Sequence, residues 1–148
     1  MRGLLRIFGS MLFFLVLVSC ATGTKFSELL PSTKPANAEA GRIFFYKRSS
    51  LGTAARPEAL LNGEKVGEIT AYSFFYRDRP PGDYEVATST GGEHKVSFVL
   101  EQGQTRYIRF SSSFGFPAGH VYGELVDETI ALSEIQNCHY TGAKTTAK

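Results

Sequence analysis

The sequence predicts an all-β protein, an antiparallel β-sandwich of about seven to eight strands with one short C-terminal helix. From Gly41 onward, short runs rich in aromatic and β-branched residues alternate with turn residues. One segment, near residue 130, has apolar residues at helical spacing. Many short strands at intervals of about 8–12 residues, without helices between them, are typical of a sandwich or barrel.

The first 19 residues have the layout of a signal peptide. Arg2 and Arg6 come before the apolar run IFGSMLFFLVLV at residues 7–18. Such a run has the length of a secretory signal, about 7–15 residues, and is shorter than the roughly 20 residues that cross a bilayer. We therefore expect residues 1–19 to direct export.

The export signal ends in a motif, Leu17-Val18-Ser19-Cys20, that resembles the lipobox of bacterial lipoproteins. The resemblance implies cleavage before Cys20 and attachment of acyl chains such as palmitate to that residue. Ala21 stands where an inner-membrane retention signal often has Asp, which favours the periplasmic face of the outer membrane. The alternative is an ordinary signal peptide with an incidental cysteine.

The charge of the exported part excludes one class of partner. Residues 1–19 contain Arg2 and Arg6, so their removal reduces the 16 basic residues to 14, against 14 acidic residues. The net charge therefore falls from +2 to zero, and the rest of the chain contains no basic stripe. We expect no nucleic-acid partner, because phosphate binding needs such a stripe.

The 148 residues have room for one domain. Residues 20–40 are predicted to be the lipidated cysteine and a flexible tether, since they are rich in small residues and proline and show no sustained period. Within them, FSELL at 26–30 allows a short helical turn. The body is predicted over residues 41–140, and residues 141–148 are predicted to be a disordered tail.

The strands of the body follow from the runs between turn residues. Asn62-Gly63 predicts a tight hairpin turn, because both central positions of a type I′ turn need positive φ. Alternation places Tyr84, Val86 and Thr88 on one face. The predicted strands are RIFFYKR (42–48), PEALLN (57–62), KVGEIT (65–70), YSFFYRD (72–78), DYEVATST (83–90), EHKVSFVL (93–100), TRYIRFSSS (105–113) and GHVYGELV (119–126).

A short helix is predicted over residues 128–137. Ile130, Leu132 and Ile135 recur at helical spacing, and Asp127 is a suitable N-cap. We expect this helix to pack across an edge or an end of the sheet, where it would block unwanted strand pairing.

Two resemblances concern the body. LLNGEKVGEI and RPPGDYEV are similar to hairpins of transthyretin-like, carbohydrate-binding-like surface domains. Residues 41–140 resemble a family of bacterial lipoproteins known as the domain of unknown function two-eight-four-six. The segments that carry this second resemblance are GRIFFYKRSSL, LNGEKVGEI, PPGDYEV, LEQGQTRYIRF and GELVDETIALSEIQNC. The resemblance implies a fold and supplies no catalytic residues.

Catalytic and metal-binding patterns are sparse. Ser113 and His120 flank a glycine-containing loop, but the G-x-S-x-G elbow of hydrolases is absent from the sequence. Cys138 and His139 are adjacent without a CxxC or second clustered pair, so we expect no metal and no cofactor. Cys138 is expected to be a small buried residue at the helix end, the alternative being an intermolecular disulfide.

Two groups of residues are candidates for binding. One is the run of aromatic and arginine residues in the fourth predicted strand, since such side chains anchor interfaces. The other is the loop at 111–119, in which two phenylalanines flank Gly115. The first group is Tyr72, Phe74, Tyr76, Arg77 and Arg79, and the second is Phe114 and Phe116. The alternatives are that the run fills the core and that the loop folds back under the sheet.

These observations together predict a lipid-anchored, non-enzymatic binding module of the bacterial cell envelope. Its expected partners are the membrane, through Cys20, and another envelope protein or a glycan, through the aromatic-rich segments or a sheet edge. The alternatives are a structural accessory subunit of an envelope complex and an envelope hydrolase.

Overall fold

The computed structural model describes residues 23–29, 34–114 and 119–142. These residues form nine strands and two short helices. Residues 1–19, Cys20, Phe116 and the end of the predicted tail lie outside the described residues. The elements are α1 (Phe26–Leu29), β1 (Gly41–Lys47), β2 (Glu58–Leu61), β3 (Glu64–Glu68), β4 (Ser73–Arg79), β5 (Gly82–Thr88), β6 (Val96–Leu100), β7 (Thr105–Ser113), β8 (His120–Val126), α2 (Glu128–Ile135) and β9 (His139–Tyr140).

The strands form two sheets, which confirms the predicted all-β sandwich. The five-stranded sheet has the order β8-β7-β1-β4-β9, and the four-stranded sheet has the order β3-β2-β5-β6. The pairing is not wholly antiparallel as expected, because β1 pairs with β7 and β4 pairs with β9 in parallel. Parallel pairing needs a long crossover, and the whole four-stranded sheet lies in the connection between β1 and β7.

The central strand β1 is buried on both faces. Ile43 and Phe45 face the four-stranded sheet, whereas Phe44 and Tyr46 pack in a second apolar cluster with α2. A strand covered on both sides reads as a continuous apolar run, which accounts for the run IFFY at 43–46.

Helix α2 covers the outer face of the five-stranded sheet, which corrects the expectation that it lies at an edge or an end. Ala131 and Ile135 are buried against Tyr46 and Tyr107. The helix starts after Asp127 as predicted, although the Asp127 side chain makes no capping hydrogen bond. Without α2, the aromatic side chains on this face of β1 would be exposed to water, and the free energy gained by burying them would be lost.

The predicted hairpin turn at Asn62-Gly63 is confirmed. Both residues have positive φ, 50° and 82°, and they join β2 to β3. The Asn62 side chain also connects this turn to β5, because its Oδ1 accepts a hydrogen bond from the Glu85 N–H at 2.7 Å.

Residues 23–29 pack on the body, which corrects the prediction of a flexible tether for this part of residues 20–40. Phe26 is fully buried, and its ring packs edge-on against those of Phe44 and Phe74. The Phe26 N–H donates to the Cys138 carbonyl at 3.2 Å, and the Tyr140 N–H donates to the Thr24 carbonyl at 2.9 Å. These residues therefore cover the outer edge of β9.

Further along the predicted tether, residues 34–40 also contact the body. The Ala36 N–H donates to the Asp78 carboxylate at 3.1 Å. In the part of the chain that the structure describes, neither helix has the length and apolar character needed to cross a bilayer.

Candidate functional site

A groove of about 550 Å³ opens on the helix-facing side of the five-stranded sheet, between the segment after β1 and the strands β7 and β8. We call it the Arg109 groove. Its lining residues are Arg48, Ser49, Leu51, Arg109, Phe110, Ser111, Ser112 and Glu124.

Strand alternation and strand register place three polar side chains of the groove, Arg109, Ser111 and Glu124, on one side of the sheet. Tyr46 follows Phe44 on the helix-facing side of β1, and Arg109 follows Tyr107 on the same side of β7. The register of β7 and β8 sets Arg109 directly opposite Glu124. The sheet therefore presents a guanidinium and a carboxylate side by side beneath helix α2.

Arg109 is held between two carboxylates from different elements. Its Nη2 lies 3.1 Å from Glu124 Oε2 on β8, and its Nη1 lies 2.9 Å from Glu134 Oε1 on α2. Partial burial alone would lower the pKa of Arg109, but the hydrogen bonds and charges of Glu134 and Glu124 outweigh it and raise the pKa. The guanidinium is thus a permanent charge in a fixed position.

Glu134 is the centre of this network. The buried Tyr46 hydroxyl donates to Glu134 Oε2 at 2.7 Å, and Arg48 Nη1 lies 3.3 Å from Glu134 Oε1. Burial would raise the pKa of Glu134, but the bonds from Tyr46 and Arg109 and the charge of Arg48 hold it below its ordinary value. Burial, together with the neighbouring Glu134 carboxylate, raises the pKa of Tyr46. Ser111 completes the network by donating to Glu124.

The groove offers fixed charges of both signs, hydroxyl groups and an apolar wall. Its rim includes Arg48, whose side chain is 59% exposed, and Leu51, which is 50% exposed. Rigid donors and acceptors beside a small apolar surface suit a polar ligand, such as a sugar ring or an extended polypeptide segment. An acidic group on that ligand would meet Arg48 first.

Phe114 lies immediately beyond the groove, at the end of β7, and is 88% exposed. Ser112, two residues before Phe114, lines the groove and donates its hydroxyl to the Leu51 carbonyl at 2.7 Å. Phe114 is thus accessible to a partner, and its role in binding stays a prediction. Phe116, its predicted companion, lies outside the described residues.

The aromatic and arginine run of β4 is divided between the two faces of the sheet. Phe74 is buried in the cluster under α2, so its assignment as a binding residue is wrong and its role is in the core. Tyr76 is half-buried, with the Arg42 guanidinium 4.0 Å above its ring. Arg77 points to the opposite side and donates to the Val66 carbonyl. Alternation along the strand separates residues that are adjacent in sequence.

The two ends of the run are also far apart. Tyr72 lies in the turn before β4 and is 51% exposed. Arg79 lies at the other end of β4, where it lines a separate groove of about 600 Å³ with Asp78 and Pro80. The candidate residues of this run therefore do not form one surface, and none of them lines the Arg109 groove.

The register of β7 and β8 sets Ser113 opposite His120, as the hydrolase alternative requires. However, His120 Nδ1 lies 2.7 Å from the Thr90 carbonyl, so a main-chain group occupies the position in which that alternative needs a carboxylate.

Cys138 and the other histidines have structural surroundings. Cys138 is buried at the end of α2, as predicted, and burial together with the charge of Glu134 raises its pKa to about 11. His139 Nδ1 lies 3.0 Å from the Gly23 carbonyl. Within the described ranges, no cluster of three or more His, Cys, Asp or Glu side chains is placed to hold a metal ion.

Sequence reasoning missed the residues of the Arg109 groove. The alternation of Arg109 and Ser111 in TRYIRFSSS was a signal that one face of β7 is polar. Glu124 and Glu134, in contrast, come from two other elements: the pairing of β8 with β7 brings Glu124 to Arg109, and the docking of α2 on the sheet brings Glu134.

Comparisons with known proteins cover most of the strands, and the family match ends within β8, before α2 and β9. The family model "Protein of unknown function (DUF2846)" matches residues 37–123, which are more than half of the 148-residue chain. An uncharacterized protein of Haemophilus influenzae is 26% identical over 120 residues, covering 77% of this chain and 71% of that relative. No solved structure matches the chain significantly. The chain therefore belongs to the family described as "Protein of unknown function (DUF2846)".

Proposed function

We propose that this protein is a lipid-anchored component of the bacterial cell envelope that binds a partner, without catalysis, through the Arg109 groove and Phe114. The observation that carries the proposal is the exposure of Phe114, 88%, directly after the strand β7 that lines a groove whose charges are already fixed by one another. An exposed aromatic next to a rigid polar groove is the composition of a binding surface.

The sequence supports the lipid anchor. An apolar run with two preceding arginines leads into Leu17-Val18-Ser19-Cys20, and the chain after Cys20 has no net charge. Two or three acyl chains on Cys20 would hold the protein stably on a membrane. The periplasmic face of the outer membrane is the expected location, because Ala21 replaces the aspartate of inner-membrane retention signals.

The position of the groove supports the binding role. The groove is lined by β7, β8 and the segment after β1. Residues 23–26, in contrast, lie alongside β9 at the opposite edge of the sheet. Strands lie about 4.8 Å apart, so β8 is about 19 Å from β9. A body anchored on the β9 side leaves the groove and Phe114 free to meet an envelope protein or a glycan.

The anchor is tested by replacing Cys20. We expect Cys20→Ala to abolish incorporation of radiolabelled palmitate in growing cells and to leave the protein unprocessed or released from the membrane fraction. The matched control is Cys138→Ala, which removes the other cysteine of the chain and should keep the label. Labelling of the Cys20→Ala protein would rule out the anchor.

The binding face is tested by photo-crosslinking in intact cells. A benzophenone amino acid replaces Phe114 in one strain and Val99, which is 53% exposed on β6, in the other. We expect a discrete adduct from position 114 that weakens when Arg48 is also changed to Ala, and no such adduct from position 99. Equal adducts from both positions, or an adduct that is insensitive to Arg48, would contradict a specific binding face.

A further inference from the structure

Residues 23–26 run beside β9 as part of the folded body. Besides the two main-chain hydrogen bonds of Phe26 and Tyr140, Lys25 forms an antiparallel bridge with His139. Phe26 is fully buried, so releasing this segment would expose a whole phenylalanine side chain to water. The segment therefore has a fixed position on the edge of the five-stranded sheet.

The distance from this segment to the proposed lipid is short. Only residues 21 and 22 separate Cys20 from Gly23. A chain spans at most about 3.6 Å per residue, so Cys20 lies within about 11 Å of Gly23. A lipid on Cys20 would therefore hold the β9 edge close to the headgroup layer, whereas a free tether of 20 residues would let the body stand about 25 Å away.

The exposed residues beside β9 suit a membrane interface. Tyr72 is 51% exposed, and its carbonyl accepts the His139 N–H at 2.9 Å, which places it next to the docked segment. Lys25 is also exposed, and Glu28 in α1 is the nearby acidic residue of the segment. Tyrosine and lysine are the residues that place a polar tip among headgroups and an apolar body below them.

The backbone of Tyr72 gives an independent indication. Its φ is +48°, a left-handed conformation that glycine and asparagine adopt readily and bulky residues rarely adopt. Because the Tyr72 ring is half-exposed, its packing contacts compensate little for this unfavourable backbone conformation. Backbone strain at an exposed aromatic residue points to a role for the ring outside the folded body.

Thr141 follows β9, is exposed, and donates its N–H to the Phe74 carbonyl at 2.9 Å. On the premise of the lipid anchor proposed above, we infer that the surface formed by Lys25, Tyr72, His139 and Thr141 rests on lipid headgroups. The body is then held in one orientation on the membrane, and the Arg109 groove, three to four strands from β9, faces away from the lipid. The lipid chain alone would allow the body to rotate, and this surface restricts that rotation.

The test measures the distance of single positions from the lipid. Lipidated protein carrying Cys138→Ala is extracted and reconstituted into vesicles of phosphatidylethanolamine and phosphatidylglycerol that contain a headgroup nitroxide quencher. A fluorophore is attached through Thr141→Cys, Val99→Cys or Phe114→Cys in separate samples. We expect the label at position 141 to lose most of its fluorescence and the labels at 99 and 114 to lose little.

A second variant distinguishes contact between this surface and the headgroups from simple tethering through Cys20. Lengthening the link with a Gly-Ser insertion after Ala21 should preserve quenching at position 141, and adding Lys25→Glu and Tyr72→Asn to that protein should reduce it. Unchanged quenching in the triple variant, or equal quenching at all three label positions, would overturn the inference. A crosslinked dimer through position 141 would assign the surface to a second copy and overturn it as well.

These outcomes are distinct from failure of the anchor itself. Mass spectrometry of the extracted protein shows whether Cys20 carries lipid before any quenching is measured. A protein without lipid would contradict the proposed function and the inference together, whereas a lipidated protein with uniform quenching would contradict the inference alone.

Discussion

Lys47 is a fully buried basic side chain at the end of β1. Its Nζ donates to Ser112 Oγ at 2.8 Å and lies 3.5 Å from the Phe110 carbonyl, and both partners are uncharged. Burial lowers the pKa of Lys47, because the charged amine has lost its hydration. The sequence shows Lys47 as the polar end of an apolar run and gives no sign that its amine is enclosed.

This arrangement predicts that Lys47→Met stabilises the protein at neutral pH by about 1 kcal/mol, since a buried charge costs more than two neutral hydrogen bonds contribute. Between the lowered pKa of Lys47 and the ordinary lysine pKa, the folded state binds fewer protons than the unfolded state, so wild-type stability rises with pH in that range. The advantage of the variant should therefore shrink as the pH approaches 10. Urea denaturation at several pH values measures this difference.

The control for that measurement is Lys65→Met, at a solvent-exposed amine that pairs with Glu58 at 2.6 Å. Such surface pairs contribute about 0–1 kcal/mol, so this variant should be neutral or slightly destabilised. If Lys47→Met has a lower free energy of unfolding than the wild type at every pH, the buried amine stabilises the fold, contrary to our expectation.

The regular elements were largely predictable because their signals are local. All eight predicted strands are confirmed, and the alternation of Tyr84, Val86 and Thr88 matches the observed burial of β5. The ninth strand, β9, has only two residues and produces no periodic signal. The docking of α1 was missed because Phe26 stands alone between polar residues, and its partners Phe44 and Phe74 are distant in sequence.

The docked segment gives a testable change in stability. In a chain expressed without residues 1–20, Phe26→Ala should lower the free energy of unfolding by about 3–5 kcal/mol, because it leaves a cavity among aromatic rings. Phe114→Ala, at an exposed ring, should change it by less than about 0.5 kcal/mol. Chemical denaturation measures both variants. Similar, small effects at the two positions would show that residues 23–29 behave as the flexible tether that their composition suggests.

The arrangement of the whole molecule depends on contacts that local patterns do not encode. The parallel pairing of β1 with β7 follows a connection that contains the entire second sheet. The Arg109 groove likewise combines β7, β8 and the segment after β1, and Glu134 of α2 holds its arginine. Of the candidate binding residues, Phe114 was predictable from its loop, whereas the charges next to it required the tertiary structure.

The part of the chain that the structure describes therefore has two distinct sides. The β9 edge carries the chain that leads from Cys20, and the β8 half carries the Arg109 groove and Phe114. A protein anchored and bound as we propose would need its lipid-facing and partner-facing surfaces kept apart, and the width of the five-stranded sheet would separate them.

The most direct measurement of this polarity is photo-crosslinking in living cells from Tyr72 and from Phe114, one position per strain, followed by mass spectrometry of the adducts. We predict phospholipid adducts from position 72, and protein or glycan adducts without phospholipid from position 114. Phospholipid adducts from position 114, or a shared non-lipid adduct from both positions, would contradict the proposed anchoring and binding sides.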